Sequence, residues 1–296
     1  MSIVATLAAA LSEPGPQAIP FIDERGNPDR PLTLHTYRAT SYRPDRPVVL
    51  VQHGMMRNGD EYRDFWIPSA ERHGLLIVAT TFSNEHYPEA ESYNNGLVYD
   101  AEGNIRPRER WGYASLARIF GLLREAGVTS RETAHLYGHS AGGQFAHRLL
   151  STQPHAPYAA VVAANPGWYS LPTLEKRFPE GLGGLGLGEA DLVRLFAYPL
   201  LILAGDQDTD TADPHLPSQE EALRQGPHRY ARAHNYLAVG RREAARLGVP
   251  CNWRLESVPG IGHDGAAMSI VTASLWFEGR QPTAAELQAL SGRRAA

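Results

Sequence analysis

Residues Gly138-His139-Ser140-Ala141-Gly142 constrain this chain more than any other stretch. The pattern is GxSxG, a serine with a glycine two positions away on each side. Before it, residues 133–137 read as a short buried strand. After it, residues 144–150 read as a helix with Phe145 and Leu149 on one face. A strand that turns sharply into a helix lifts the serine hydroxyl to the top of a parallel sheet. The glycines let the backbone turn without a Cβ clash. The five-residue pattern alone is weak evidence, and the flanking strand and helix give it meaning.

The rest of the chain supplies the sheet that such a turn needs. Residues 32–37 alternate like a half-exposed strand, and residues 48–51 and 75–79 are continuous apolar runs. Residues 159–164, 200–204 and 253–258 complete the set. Helical patterns lie between them: residues 61–73 ended by Gly74, and a helix carrying Leu116, Ile119, Phe120 and Leu123 ended by Gly127. Further helices are a segment with Tyr230, Ala233, His234 and Leu237 on one face, and residues 266–277. Strands alternating with helices predict an α/β fold, a mostly parallel central sheet with helices on both faces. The 296 residues are expected to form one domain. Residues 1–31 read as a leader, rich in Pro, Gly and Asp from Pro14 onward. Residues 94–106 carry Asn-Gly and Gly-Asn steps, which predict a hairpin or excursion. Residues 166–198, with their glycine run at 181–188, predict a small cap insertion over the site.

A serine hydroxyl needs a base to take its proton, and the base needs a carboxylate to fix its tautomer. Asp206, Asp208 and Asp210 follow the strand at 200–204, at the sheet edge where active-site groups of α/β proteins lie. Asp208 is the expected acid, because its spacing from Gly205 lets the strand end and the chain turn back. Asp206 and Asp210 are alternatives that fit loop capping. His263, ringed by Gly260, Gly262 and Gly265 after the last strand, is the expected base. An oxyanion needs two backbone N–H groups. Ala141, directly after the serine, and Met55, in the loop after residues 48–51, are the expected donors. His53 is expected to orient that loop, His139 to pack under the turn, and His147 to sit on the following helix. Trp168 and Tyr169 either wall a substrate pocket or anchor the cap, and Trp111 and Tyr113 read as packing residues.

Composition narrows the partners. The net charge of -4 gives no reason to expect nucleic acid or an anionic membrane. No apolar run reaches the length of a membrane span. Residues 3–11 are apolar, but the first arginine is Arg25, so a short helix or lead-in is expected rather than a cleaved signal peptide. One cysteine, Cys251, allows no intrachain disulfide, and a buried small hydrophobe is its expected role. A cytoplasmic location is expected.

These residues together identify a resemblance. From about Leu32 to Phe277 the chain resembles an α/β-hydrolase, and within that superfamily the polyhydroxybutyrate depolymerase and feruloyl esterase group. The resemblance rests on His53-Gly54-Met55-Met56-Arg57-Asn58, Tyr87-Pro88-Glu89, Tyr93-Asn94-Asn95, Gly138 to Gly143, Gly205 with Asp208, and Gly262-His263. It implies two-step acyl transfer on a small-molecule ester, with Ser140 as nucleophile and no metal or organic cofactor. A serine nucleophile argues against dehalogenase and epoxide hydrolase chemistry. The alternatives are an amidase or peptidase with the same residues, and a non-catalytic binding protein on the same fold.

Overall fold

The computed structural model describes residues 2–153 and 157–291. The chain opens with helix α1 (Ile3–Ala10), strands β1 (Gly15–Asp23) and β2 (Asn27–Arg38), then β3 (Val48–Gln52). Helices α2 (Gly59–Phe65) and α3 (Ile67–His73) lead to β4 (Leu76–Thr81). A short turn α4 (Glu89–Ser92) and helix α5 (Gly112–Glu125) precede β5 (Ala134–His139), α6 (Ala141–Thr152) and β6 (Tyr158–Ala164). Then come α7 (Glu189–Ala197), β7 (Leu201–Gly205), the short α8 (Glu220–Leu223), α9 (Arg229–Arg246), β8 (Arg254–Val258), α10 (Gly265–Phe277) and α11 (Ala284–Ser291).

The strands form one eight-stranded sheet in the order β1-β2-β4-β3-β5-β6-β7-β8. β1, β2 and β4 pair antiparallel in sequence, and every pair from β4 to β8 is parallel. Every residue of β3 and β7 is buried, as a strand covered on both faces must be. Helices α2, α3 and α10 touch one another over one face, while α5, α6, α7 and α9 form a second chain of contacts over the other. After β3 the chain crosses to β4 on one side, and after β5 it crosses to β6 on the other. The switch point therefore lies between β3 and β5, where a crevice opens at the strands' C-terminal ends.

Three expectations are corrected. Residues 1–31 are not a leader: α1 buries Leu7, β1 buries Ile19 and Phe21, and β2 begins at Asn27. Pro16 and Pro20 disguised β1, yet β1 is the outermost strand, where proline is tolerated because half of the N–H groups face away from the ladder. Residues 61–73 are two helices. Trp66 is fully buried against Tyr137 and Trp276 at the junction, and Pro68 sits in the first turn of the second helix. The span 166–198 is not wholly an insertion, because its last third is α7, the crossover helix that joins parallel β6 to β7. The part before α7 folds on itself through Leu182 N–H to Thr173 O (2.8 Å) and Phe178 N–H to Gly183 O (3.1 Å). It rests on the 94–106 excursion, which closes with a Tyr99–Ile105 bridge.

Among the described residues no helix is long and apolar enough to cross a membrane. If residues 15–23 are a core strand, Phe21→Ala lowers the unfolding free energy by about 3–5 kcal/mol. Urea denaturation reads this as a lower midpoint, whereas truncating a side chain in a loose leader would leave the midpoint where it was.

Candidate active site

The turn between β5 and α6 is unusually tight. Ser140 has φ +58° and ψ −121°, a conformation that costs a non-glycine residue about 1–3 kcal/mol. The strain sits on the serine and not on the glycines, whose role is close approach. A Cβ on Gly138 would lie 1.9 Å from Gly142 O, and one on Gly142 would lie 2.1 Å from Gln52 O. The first turn of α6 is thereby pressed against the ends of β3 and β5. Ser140 N–H donates to Ala164 O (2.9 Å) and Ser140 O accepts from Gln144 N–H (3.0 Å), which holds the turn in place.

Three loops bring the expected side chains together. Ser140 Oγ lies 3.0 Å from His263 Nε2, and His263 Nδ1 lies 2.8 Å from Asp208 Oδ2. With Nδ1–H donating to the carboxylate, Nε2 is free to accept from the hydroxyl. Asp208 is buried, and its other oxygen faces the buried Arg229 guanidinium at 3.4 Å. Arg229 also pairs with Asp213 at 2.6 Å. Asp206 and Asp210 do not reach His263. Asp206 Oδ1 accepts from Gly260 N–H (2.8 Å), and Asp210 Oδ1 accepts from Ala212 N–H (2.8 Å), so both cap loops.

Asn165 is a residue that sequence reasoning passed over. It follows β6 with φ +43°, which asparagine tolerates better than most residues. Its Oδ1 accepts from Gly205 N–H (2.9 Å), and its Nδ2 donates to Gly262 O (3.0 Å). One side chain thus ties the loop bearing Asp208 to the loop bearing His263. Arg229 was missed as well, because a helix-start arginine looks like a surface residue until its two carboxylates are seen.

The loop after β3 is held by His53. Its Nδ1–H donates to Gly54 O (2.8 Å), and its Nε2 accepts from Phe82 N–H (3.1 Å), so the ring serves as a neutral staple. Burial pushes its pKa down to about 3. Tyr93 stacks on it with ring centroids 4.5 Å apart and donates to His53 O (2.7 Å). His139 packs beneath the turn, its ring centroid 4.6 Å from that of His263 and its Nδ1 2.8 Å from Tyr62 Oη. His147 lies on α6 as a second staple, Nδ1–H to Gly143 O (2.9 Å) and Nε2 from Ser170 N–H (3.0 Å).

A cavity of about 500 Å³ opens over Ser140. Met55 and Ala141, the expected oxyanion donors, line it together with Arg57, Asn94, Gln144 and Gly167. Trp168 and Tyr169 do not line it. Trp168 carries the Arg148 guanidinium 5.0 Å from its ring and borders a neighbouring cavity of about 600 Å³. Tyr169 is fully buried, stacked on Tyr236 at 4.3 Å, with its backbone paired on both sides to Gln225. The chain dives into the core directly after Gly167, a change of direction that no local pattern announces. Trp111 and Tyr113 are buried packing residues as expected. Among the described residues no group of three His, Cys, Asp or Glu side chains is placed to hold a metal ion.

A mostly parallel sheet, a strained serine between its strand and helix, and a histidine and an aspartate in contact on the following loops are the features of the α/β-hydrolase class. The chain belongs to that family. Over 98% of its length, and 99% of the relative's, it is 59% identical to LpqC, the poly(3-hydroxybutyrate) depolymerase from Bordetella parapertussis, with a TM-score of 0.93. It is 37% identical to poly(aspartic acid) hydrolase-1 from Sphingomonas sp. KT-1, covering 89% of this chain and 98% of that one with a TM-score of 0.85. The siderophore hydrolase EstB from Aspergillus nidulans, at 16% identity, TM-score 0.53, and coverage of 90% and 96%, shares the fold alone. A scan against protein-family models and a search of curated proteins give no match.

The buried histidines make stability depend on pH. Burial drives His53, His139 and His147 well below the ordinary histidine range, so the folded rings stay neutral. The unfolded chain protonates them below a pKa of about 6.5, so it binds more protons than the folded chain under that value. Stability is therefore full above about pH 6.5 and falls on acidification, by about 1.4 kcal/mol per pH unit for each ring that stays neutral. Urea unfolding at about pH 7.5 and about pH 5 checks this, since equal stability at both would show that the folded rings take up protons.

Proposed function

We propose that this protein is a serine esterase that hydrolyses carboxylic esters through an acyl-enzyme. The observation that carries the proposal is the continuous contact from Ser140 Oγ through His263 to Asp208, at 3.0 and 2.8 Å, at the floor of an open cavity. Ser140 attacks the ester carbonyl while His263 Nε2 takes its proton. The C–O bond to the alcohol breaks as His263 returns that proton to the leaving oxygen. Water, deprotonated by the same nitrogen, then cleaves the acyl-serine and restores the hydroxyl. Asp208 holds the Nδ1–H tautomer and offsets the positive charge of the imidazolium. The N–H groups of Met55 and Ala141 stabilise the oxyanion, a reading supported by the place of both residues on the cavity wall.

The name of the 59% identical relative supports an ester substrate, since poly(3-hydroxybutyrate) is joined by ester bonds. A second reading, amide hydrolysis by the same residues, is favoured by the 37% identical relative, because poly(aspartic acid) is joined by amide bonds. The substrate enters as a small molecule or chain end, with neither nucleic acid nor membrane as partner. A cytoplasmic setting is proposed from the single cysteine.

Hydrolysis of p-nitrophenyl esters from acetyl to dodecanoyl by the wild type and Ser140→Ala tests the proposal. Turnover should vanish in the variant while its unfolding curve stays close to wild type. Retained turnover in Ser140→Ala would rule out the serine mechanism. Asp208→Asn should lower kcat by about 10³–10⁴-fold through loss of the correct tautomer. Asp206→Asn and Asp210→Asn should lose far less, and the opposite ranking would move the acid to another position.

A further inference from the structure

Beneath the Ser140 cavity lies a buried arginine with no carboxylate partner among the described residues. Arg148 is fully buried and donates to Ser170 Oγ (2.9 Å), Asn95 Oδ1 (2.7 Å), Asn94 O (3.1 Å) and Gln144 Oε1 (3.1 Å). A guanidinium only donates, so the Gln144 atom that faces it must be the oxygen. That same oxygen accepts from Asn94 Nδ2 (2.8 Å), so Asn94 must present its amino group there. The cation therefore fixes the orientation of both amides, and two groups are left over: Gln144 Nε2–H, a donor, and Asn94 Oδ1, an acceptor. Both residues are more than nine-tenths buried, both line the Ser140 cavity, and among the described residues neither leftover atom has a hydrogen-bond partner. Gly167 keeps the donor uncovered, since a Cβ there would lie 2.8 Å from Gln144 Nε2.

We propose that Gln144 and Asn94 are a specificity pair that reads a group able both to accept and to donate a hydrogen bond, a hydroxyl or a secondary amide, carried by the substrate beside its scissile carbonyl. The proposal rests on the ester-hydrolase reading for the place of that carbonyl at Ser140. An all-alkyl acyl chain leaves the donor and the acceptor desolvated and unpaired. A hydroxyl or an amide satisfies both. Arg148 is the positioning residue behind the pair.

The test compares methyl 3-hydroxybutanoate (hydroxyl), methyl N-acetylglycinate (amide) and methyl pentanoate (alkyl). The wild type should favour at least one polar ester over methyl pentanoate by roughly 5- to 100-fold in kcat/KM, the penalty expected for unpaired buried polar groups. The ester that gains identifies the group. Gln144→Met removes the donor, and Gln144→Glu keeps the contacts to Arg148 and Asn94 but replaces the donor by an oxygen. Both should shrink the ratio to a few-fold. Equal rates on all three esters in the wild type, or an undiminished ratio in both variants, would overturn the proposal. Binding of the same esters to Ser140→Ala, by calorimetry, separates this from the reaction itself. Tighter binding of a polar ester than of methyl pentanoate supports the pair even if the wild type hydrolyses none of them, and equal binding overturns it. Absence of turnover on all three counts against the esterase reading alone.

Discussion

The close approach of α6 to the ends of β3 and β5 is the constraint on which the site depends. Two backbone contacts that exclude any Cβ, Gly138 against Gly142 O and Gly142 against Gln52 O, force the turn to be sharp. The turn in turn forces Ser140 to φ +58°. Such strain persists only where the surroundings over-determine it. Here they do: β5 lies between β3 and β6 in the middle of the sheet, and Ser140 N–H is tied to Ala164 O at the end of β6. Because strand register sets the level of every loop at this edge, the residues after β3, β5, β7 and β8 arrive at one height. The chemistry proposed for Ser140 follows from packing first and from side-chain identity second.

Position alone would leave His263 loose, since its loop is rich in glycine. Two side chains restrain it from beneath. Asn165 bridges Gly205 and Gly262, and Asp206 holds Gly260, so the loop bearing Asp208 and the loop bearing His263 are tied together. Arg229 then holds Asp208 from the far side, its guanidinium shared between Asp208 and Asp213. Asp208 is thus held by a cation on one oxygen and offers the other to His263. A carboxylate with one bound and one available oxygen has little freedom to rotate, which suits the tautomer-fixing role proposed for Asp208.

Much of this was legible in the sequence, and the rest was hidden for definite reasons. Continuous apolar runs announced β3, β4, β6 and β7, because strands covered on both faces need nothing else. The strand–turn–helix context around Ser140, and the loop positions of Asp208 and His263, followed from chain order. β1 was hidden by Pro16 and Pro20, which a central strand would exclude but an edge strand accepts. The crossover helix α7 was hidden by the glycine run before it. Trp168 and Tyr169 follow a strand at the correct edge, which left pocket wall and cap anchor equally open, because sequence does not record that the chain turns inward after Gly167. Asn165, Arg229 and the Asn94–Gln144 contact join residues tens of positions apart, with Asn94 and Gln144 separated by 50. No window short enough to show a period contains such a pair.

Two buried cations stand behind the cavity wall. Arg148 holds Gln144, and Arg232 donates through Nη1 to the carbonyl of Gly167 (2.6 Å), so two wall residues are each fixed by a guanidinium behind them. Burial lowers both arginines to about 10, yet at neutral pH they remain charged. Among the described residues neither meets a carboxylate; the Nε and Nη1 donors go to backbone oxygens, amides and a hydroxyl, and Nη2 of each has no hydrogen-bond partner. Such an arrangement is costly to bury and gains little as a stability device. Its return is rigidity, because a planar guanidinium with several neutral acceptors admits one arrangement of those acceptors. Groups fixed before the substrate arrives need no reorganisation when charge develops, and this is the property that lets a polar wall act on a transition state more strongly than mobile water does.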